Sequence, residues 1–263
     1  MAGVSRRTWL YGSTVAGAVA SGDVATALEM HAGQKPHANA GYDYRRPQFK
    51  SGSRLVFQGD SITDMKRGRN EKDRNHYLGH SYVYLIAARL GVDLPEAKLD
   101  FYNRGVSGHK VGDLRKRWDK AAIGLKPDLR SVLVGVNDVG RHLNGSDVDH
   151  WEDDYRFMLN ASRSANPSLR IVLLDPFVVP SGRLANRAAY QSWRGQVVRL
   201  LPIVARLADD FDAVHVETQM MFDAATEKVS PEHWIWDGVH PLPQGHELIA
   251  RQWIAKVSER WPL

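Results

Sequence analysis

The chain has 263 residues and not one cysteine. That absence excludes a disulfide framework, a thiolate metal site and a cysteine nucleophile, and it leaves the redox compartment unmarked by thiols. Long apolar runs are also missing. The stretch Tyr11 to Ala20 is too short to cross a bilayer, which takes about 20 residues, so no stable membrane insertion is expected. There is no Walker loop, no G-x-G-x-x-G after a strand and no G-x-S-x-G elbow, which argues against nucleotide-binding folds and against the ordinary strand-turn-helix nucleophile. His80, His109, His215, His233 and His246 have no partners at metal-ligand spacing and no H-E-x-x-H occurs, so neither a metal nor another cofactor is expected. The net charge is +5, but Lys and Arg are interleaved with acids, as in Asp113 to Lys120. Such interleaving reads as a solvated helix face, and no nucleic-acid partner is expected.

What is present begins at the amino terminus. Ser5-Arg6-Arg7-Thr8-Trp9-Leu10 precedes the Gly- and Ala-rich run to Ala20, and Ala38-Asn39-Ala40 offers small residues for cleavage. Residues 1–40 are therefore expected to be a twin-arginine signal, giving an exported periplasmic or extracellular protein. Residues 41–263 are expected to form a single domain, because no linker, repeat or low-complexity tract divides the chain after residue 50.

Beyond that point short apolar runs alternate with longer amphipathic ones, the pattern of a parallel sheet covered by helices. Strands are predicted at Arg54 to Gln58, Leu99 to Tyr102, Ser131 to Val134, Arg170 to Leu174 and Ala213 to Val216. Helices are predicted at Ser81 to Leu90, Gly112 to Ala122, Asp147 to Ala165, Ala185 to Asp209 and Pro243 to Glu259. Leu248, Ile249, Trp253, Ile254 and Val257 share one face of the last, and Trp193 is assigned to the core. The fold class is α/β, a three-layer α/β/α sandwich on a five-stranded parallel sheet. Ligands of such sheets bind beyond the carboxyl ends of the strands, which is where the chemistry-bearing phrases fall.

Four phrases carry that chemistry. Ser61 follows the first strand in Gly59-Asp60-Ser61, where a turn can present both its hydroxyl and its N–H; alone, the tripeptide reads first as a helix N-cap serine, and the other phrases reverse that reading. Asn103-Arg104-Gly105 and Gly135-Val136-Asn137-Asp138 follow the second and third strands. The Gly105 N–H and the Asn137 amide, with the Ser61 N–H, are candidate oxyanion donors. Asp237 and His240 lie three residues apart, so one tight turn can bring the carboxylate to one ring nitrogen and leave the other facing Ser61. A hydroxyl needs an imidazole to take its proton, and the imidazole needs a carboxylate to fix its tautomer. Trp234 and Trp236 flank the pair as candidate sugar-stacking residues, with core packing as the alternative. Residues 65–77 are a rim or lid segment, or a plain surface insertion.

In order and spacing these phrases resemble the four blocks of the SGNH (GDSL) hydrolase superfamily over roughly residues 52 to 259. Leu55 to Asp64, Val111 to Trp118 and Trp236 to Pro241 resemble the acetylxylan-esterase-like branch. The resemblance implies a flavodoxin-like SGNH fold and a serine esterase, with Ser61 as nucleophile, His240 as general acid/base and Asp237 as its orienter. Ser61, Gly105 and Asn137 would form the oxyanion hole. The expected reaction removes O-acetyl groups from carbohydrate, xylan or xylo-oligosaccharides, through an acetyl-serine. Activity should fall in acid as an imidazole titrates, the unperturbed value being about 6.5. The alternatives are a lysophospholipase or thioesterase-like acyl hydrolase and a non-catalytic glycan-binding module. Self-association into a homo-oligomer is open.

Overall fold

Five short runs pair into one all-parallel sheet: β1 (Arg54–Gly59), β2 (Asp100–Asn103), β3 (Leu129–Leu133), β4 (Arg170–Leu174) and β5 (Val214–Val216), in the order β2-β1-β3-β4-β5. The computed structural model describes residues 45–70, 72–140 and 145–263. The segment read as an export signal lies outside them. Parallel strands are covered on both faces and so read as unbroken apolar runs; Leu55, Val56 and Phe57 of β1 and Ile171 to Leu174 of β4 are fully buried. Two polar exceptions are satisfied. Ser131 Oγ in β3 accepts from Trp253 Nε1 at 3.0 Å, and Gln58 in β1 donates to the Ala121 carbonyl at 2.7 Å while accepting from Arg117 at 2.9 Å.

Ten α-helices complete the described chain: α1 (Ser61–Asp64), α2 (Tyr82–Asp93), α3 (Val111–Lys116), α4 (Trp118–Ala121), α5 (Val136–Val139), α6 (Gly145–Ala165), α7 (Arg187–Asp210), α8 (Thr218–Lys228), α9 (Pro231–Trp234) and α10 (Pro243–Arg260). α2 packs on α10, while α6 packs on α3 and α7. Among the described residues no helix is long and apolar enough to cross a membrane. The three-layer α/β/α class is as expected, and every predicted strand is present within two residues of its ends.

Three expectations fail. The single helix over Gly112 to Ala122 is two, broken at Arg117 (φ −110°, ψ 7°), whose guanidinium reaches Gln58 and His109 Nδ1, the latter at 3.2 Å. Trp193 is only half-buried; it lies under the Arg183 guanidinium, 5.1 Å from its ring centroid, rather than in the core. Leu248 sits at the edge of the buried face of α10, whose core side is Ile249, Ala250, Trp253, Ile254 and Val257.

The strand order places the topological switch beside β1, with β2 on one flank and β3 on the other. The crevice at that switch is where open α/β sheets receive ligands. Ser61 leaves β1 there, and α5 with Asn137 leaves β3.

Candidate active site

Ser61 is the first residue of α1. Asp60 caps that helix, its Oδ1 accepting the Ile62 N–H at 2.9 Å. A first-turn N–H has no partner inside its own helix, and among the described residues the Ser61 N–H has no acceptor. Its hydroxyl lies 2.8 Å from His240 Nε2, and His240 Nδ1 lies 2.9 Å from Asp237 Oδ2.

The Asp237–His240 turn is built by one carboxylate. Asp237 Oδ1 accepts the Val239 and His240 N–H groups at 3.1 and 2.8 Å, while Oδ2 is left for the ring. Gly238 (φ +92°) permits this shape, since a Cβ there would also stand 2.6 Å from Leu184 Cγ. The turn is tied back by Trp236 N to His240 O at 3.0 Å, and Pro243 opens α10 directly behind it. Burial works against ionising Asp237, but the hydrogen bonds from His240 and Val239 outweigh it and hold the carboxyl below its usual range. An ionised Asp237 can only accept, so Nδ1 carries the ring proton and Nε2 is free to accept from the Ser61 hydroxyl. That is the proton path that nucleophilic attack by a hydroxyl requires.

The three expected oxyanion donors are not equivalent. Asn137 Nδ2 donates to the His109 carbonyl at 3.0 Å, which anchors the amide and leaves its second hydrogen. Gly105 is not available: its N–H is held by Asn103 Oδ1 at 2.9 Å. The glycine serves close packing instead, because a Cβ there would lie 2.4 Å from Asp64 N. Three residues on, Gly108 (φ +81°) has open space on its α-carbon, and its N–H has no acceptor among the described residues. Reading the phrase for its first glycine missed this. The signal lay in Asn103, whose short side chain after a strand turns back on the loop. Asn103 Nδ2 donates to Thr63 O at 2.7 Å and to Leu78 O at 2.8 Å, so it fixes the 103–108 loop against α1.

A cavity of about 420 Å³ holds Ser61 and His240, with Trp236, Ser107, His80 and His246 among its walls. Trp236 is 70% exposed at this site, whereas Trp234 does not line the cavity and meets His233 edge-on at 4.6 Å. His80 and His246, given no role from sequence, belong to the site. Met65 and Lys66 also line it; the rest of segment 65–77 is turn and irregular chain, apart from residue 71, which lies outside the described residues. A larger polar cleft of about 780 Å³ lies beyond Gly108 and contains neither Ser61 nor His240. A second imidazole–carboxylate pair, His215 Nε2 to Asp175 Oδ1 at 2.7 Å, opens on a cavity with no serine or threonine in its wall.

Comparisons with known proteins agree with this geometry. The model of the GDSL-like lipase/acylhydrolase family matches residues 57–248. An acetylxylan esterase from Geobacillus stearothermophilus is 30% identical over 217 residues, covering 80% of this chain and 96% of that protein. The solved structure of Axe2, an acetylxylan esterase from the same organism, superposes with a TM-score of 0.65 at 30% identity, covering 79% of this chain and 95% of its own. A Parabacteroides merdae structure described as a GDSL-like lipase gives a TM-score of 0.74 at 32% identity, covering 81% and 99%.

Proposed function

The chain belongs to the GDSL-like lipase/acylhydrolase family and is a serine carboxylic-ester hydrolase, and from that premise we propose that it removes O-acetyl groups from carbohydrate, with xylan or xylo-oligosaccharides as substrate. One observation carries the reading. The Ser61–His240–Asp237 hydrogen-bond chain opens into a small cavity whose wall includes the exposed indole of Trp236. An acetyl group needs little room, and a flat aromatic face suits the apolar face of a sugar ring.

In this mechanism His240 Nε2 takes the Ser61 proton as Oγ attacks the acetyl carbonyl. The carbonyl π electrons move to oxygen, which the Ser61 N–H, the Gly108 N–H and the second Asn137 amide hydrogen receive. Collapse breaks the bond to the sugar oxygen, which leaves with the proton from His240. Water then attacks the acetyl-serine and gives a proton to His240; collapse breaks the bond to Ser61 Oγ, which takes that proton back, and acetic acid leaves and ionises to acetate. Removing one oxyanion donor typically costs about 10²- to 10³-fold in rate, and Asn137→Ala should fall in that range with little change in folding. The Arg6-Arg7 phrase supports export to the periplasm or medium as part of the same proposal.

Acetate release from acetylated xylan, pectin, peptidoglycan and long-chain acyl lipids, measured for wild type and Ser61→Ala, tests the reading. Ser61→Ala should lose at least about 10³-fold. Equal release by the variant would overturn the mechanism, and preference for long-chain acyl esters would move the substrate to the lysophospholipase or thioesterase class.

A further inference from the structure

His246 stands in the first turn of α10, six positions after His240, and is 1% exposed. Its Nδ1 accepts the Tyr82 N–H at 3.2 Å, one of the first-turn donors of α2 that has no partner within its own helix. A backbone N–H only donates, so Nδ1 must present its lone pair and a neutral ring must carry its proton on Nε2. The ring is neutral throughout the range in which esterases work, because burial first, and then the neighbouring His80 and His240, push it down to about 3. Its orientation is locked by stacking on Tyr82, centroids 6.4 Å apart and planes 22° apart.

Nε2 is nevertheless buried with no hydrogen-bond partner among the described residues, and the residue lines the cavity that holds Ser61. A buried donor left unmatched loses the hydrogen bond it would make in water. An acceptor on a bound molecule recovers that loss. Which part of the substrate meets it follows from the layout. Gly108 and Asn137 lie outside this cavity, past Ser107, whereas His240, which hands its proton to the departing alcohol, shares the cavity with His246. The acetyl oxygen therefore points one way and the alcohol the other.

We infer that His246 is a substrate-binding residue whose Nε2–H donates to a hydroxyl oxygen of the sugar adjacent to the acetylated position. The inference rests on the carbohydrate reading above and adds the residue that distinguishes a sugar ester from a simple one.

The test compares His246→Asn with His246→Gln. The Asn carbonyl can replace Nδ1 as acceptor for Tyr82 but offers no donor at Nε2; the Gln amide reaches the Nε2 position. On an O-acetylated xylo-oligosaccharide, kcat/KM of His246→Asn should fall about 10- to 100-fold, with His246→Gln recovering part of the loss. On 4-nitrophenyl acetate, whose alcohol has no neighbouring hydroxyl, any loss should be common to the two variants, so that their ratio stays within about twofold. Parallel losses on the two substrates would make the residue structural, and an unchanged sugar ester would leave only a resident water on Nε2. Either overturns the inference while the esterase reading stands. Wild type that releases no acetate from sugar esters overturns both. Should the variants misfold, the wild-type protein still decides: its Nε2–H nuclear resonance should shift when xylobiose is added at an inhibitory concentration, and an unmoved resonance defeats the inference.

Discussion

At the scale of single residues, the candidate site depends on side chains that hold backbone rather than on those that react. Asn103 has all three of its described hydrogen bonds directed at backbone: two from Nδ2 to carbonyls at the end of α1 and in the following loop, and one from Gly105 N–H to Oδ1. Asn103→Asp keeps the shape but turns the donor into an acceptor, so the Thr63 and Leu78 carbonyls lose their partner beside a new charge. The expected cost is roughly 2–4 kcal/mol in urea unfolding, because each buried group left unmatched costs about 1–3 kcal/mol. A variant as stable as wild type would show that water replaces the amide. The glycines beside it separate by the same logic. At Gly105 a Cβ meets the backbone of Thr63 and Asp64, which cannot swing aside, whereas at Gly108 it meets nothing within 4 Å. Gly105→Ala should therefore destabilise by about 1–3 kcal/mol. Gly108→Ala should cost only the left-handed backbone penalty of about 1–2 kcal/mol and keep its N–H. Activity at low temperature, where both fold, should survive Gly108→Ala.

At the scale of elements, β3, α4 and α6 meet around a cation rather than around hydrocarbon. Arg130 of β3 is 1% exposed and lies over the Trp118 ring at 4.8 Å; it donates to Ser162 Oγ, and its Nε has no partner among the described residues. No carboxylate among the described residues pairs with it. A buried charge without a counter-ion is a liability. Arg130→Met should raise the urea midpoint, by about 1–3 kcal/mol in unfolding free energy, since Ser162 keeps its bonds to Trp118 Nε1 at 2.9 Å and Met158 O at 2.6 Å. A fall in stability would mean that the stacking on Trp118 outweighs the desolvation. Elements like β4 were legible in sequence because strands covered on both faces read as apolar runs, here Ile171 to Leu174. α8 was not legible: its buried residues are Thr218, Gln219 and Phe222, which make no apolar stripe, and Gln219 is buried because it pairs with the Val178 backbone. The break between α3 and α4 was hidden for a related reason, since Arg117 looks like a surface residue until Gln58 and His109 are beside it. Asp237 and His240 could be read together because one turn contains both. His246 could not, because the backbone N–H that sets its tautomer is 164 positions away.

At the scale of the whole molecule, the switch in strand order gathers two buried carboxyl groups between the halves of the sheet. Asp60 ends the β1 connection and Asp138 lies in α5 after β3; both are pushed up to about 7, by burial first, with the charge of Asp138 raising Asp60 further. Each has one oxygen on a backbone N–H, Ile62 for Asp60 and Val111 for Asp138, and a second oxygen buried without a partner. An unfolded aspartate titrates near 3.9. Between about pH 4 and pH 7 the folded protein therefore keeps protons that the unfolded chain has released, so unfolding gives up protons and stability falls as pH rises through that window. Asp60→Asn retains the Oδ1 acceptor that caps α1 and removes one of the two titrations. Its melting temperature, followed from about pH 5 to about pH 8 at constant ionic strength, should decline less steeply than that of wild type. Parallel curves would place the proton elsewhere. The slope should relax further, though by less than twice as much, in the double variant with Asp138→Asn, because the charge of Asp138 raises Asp60 and coupled carboxyl groups do not titrate independently.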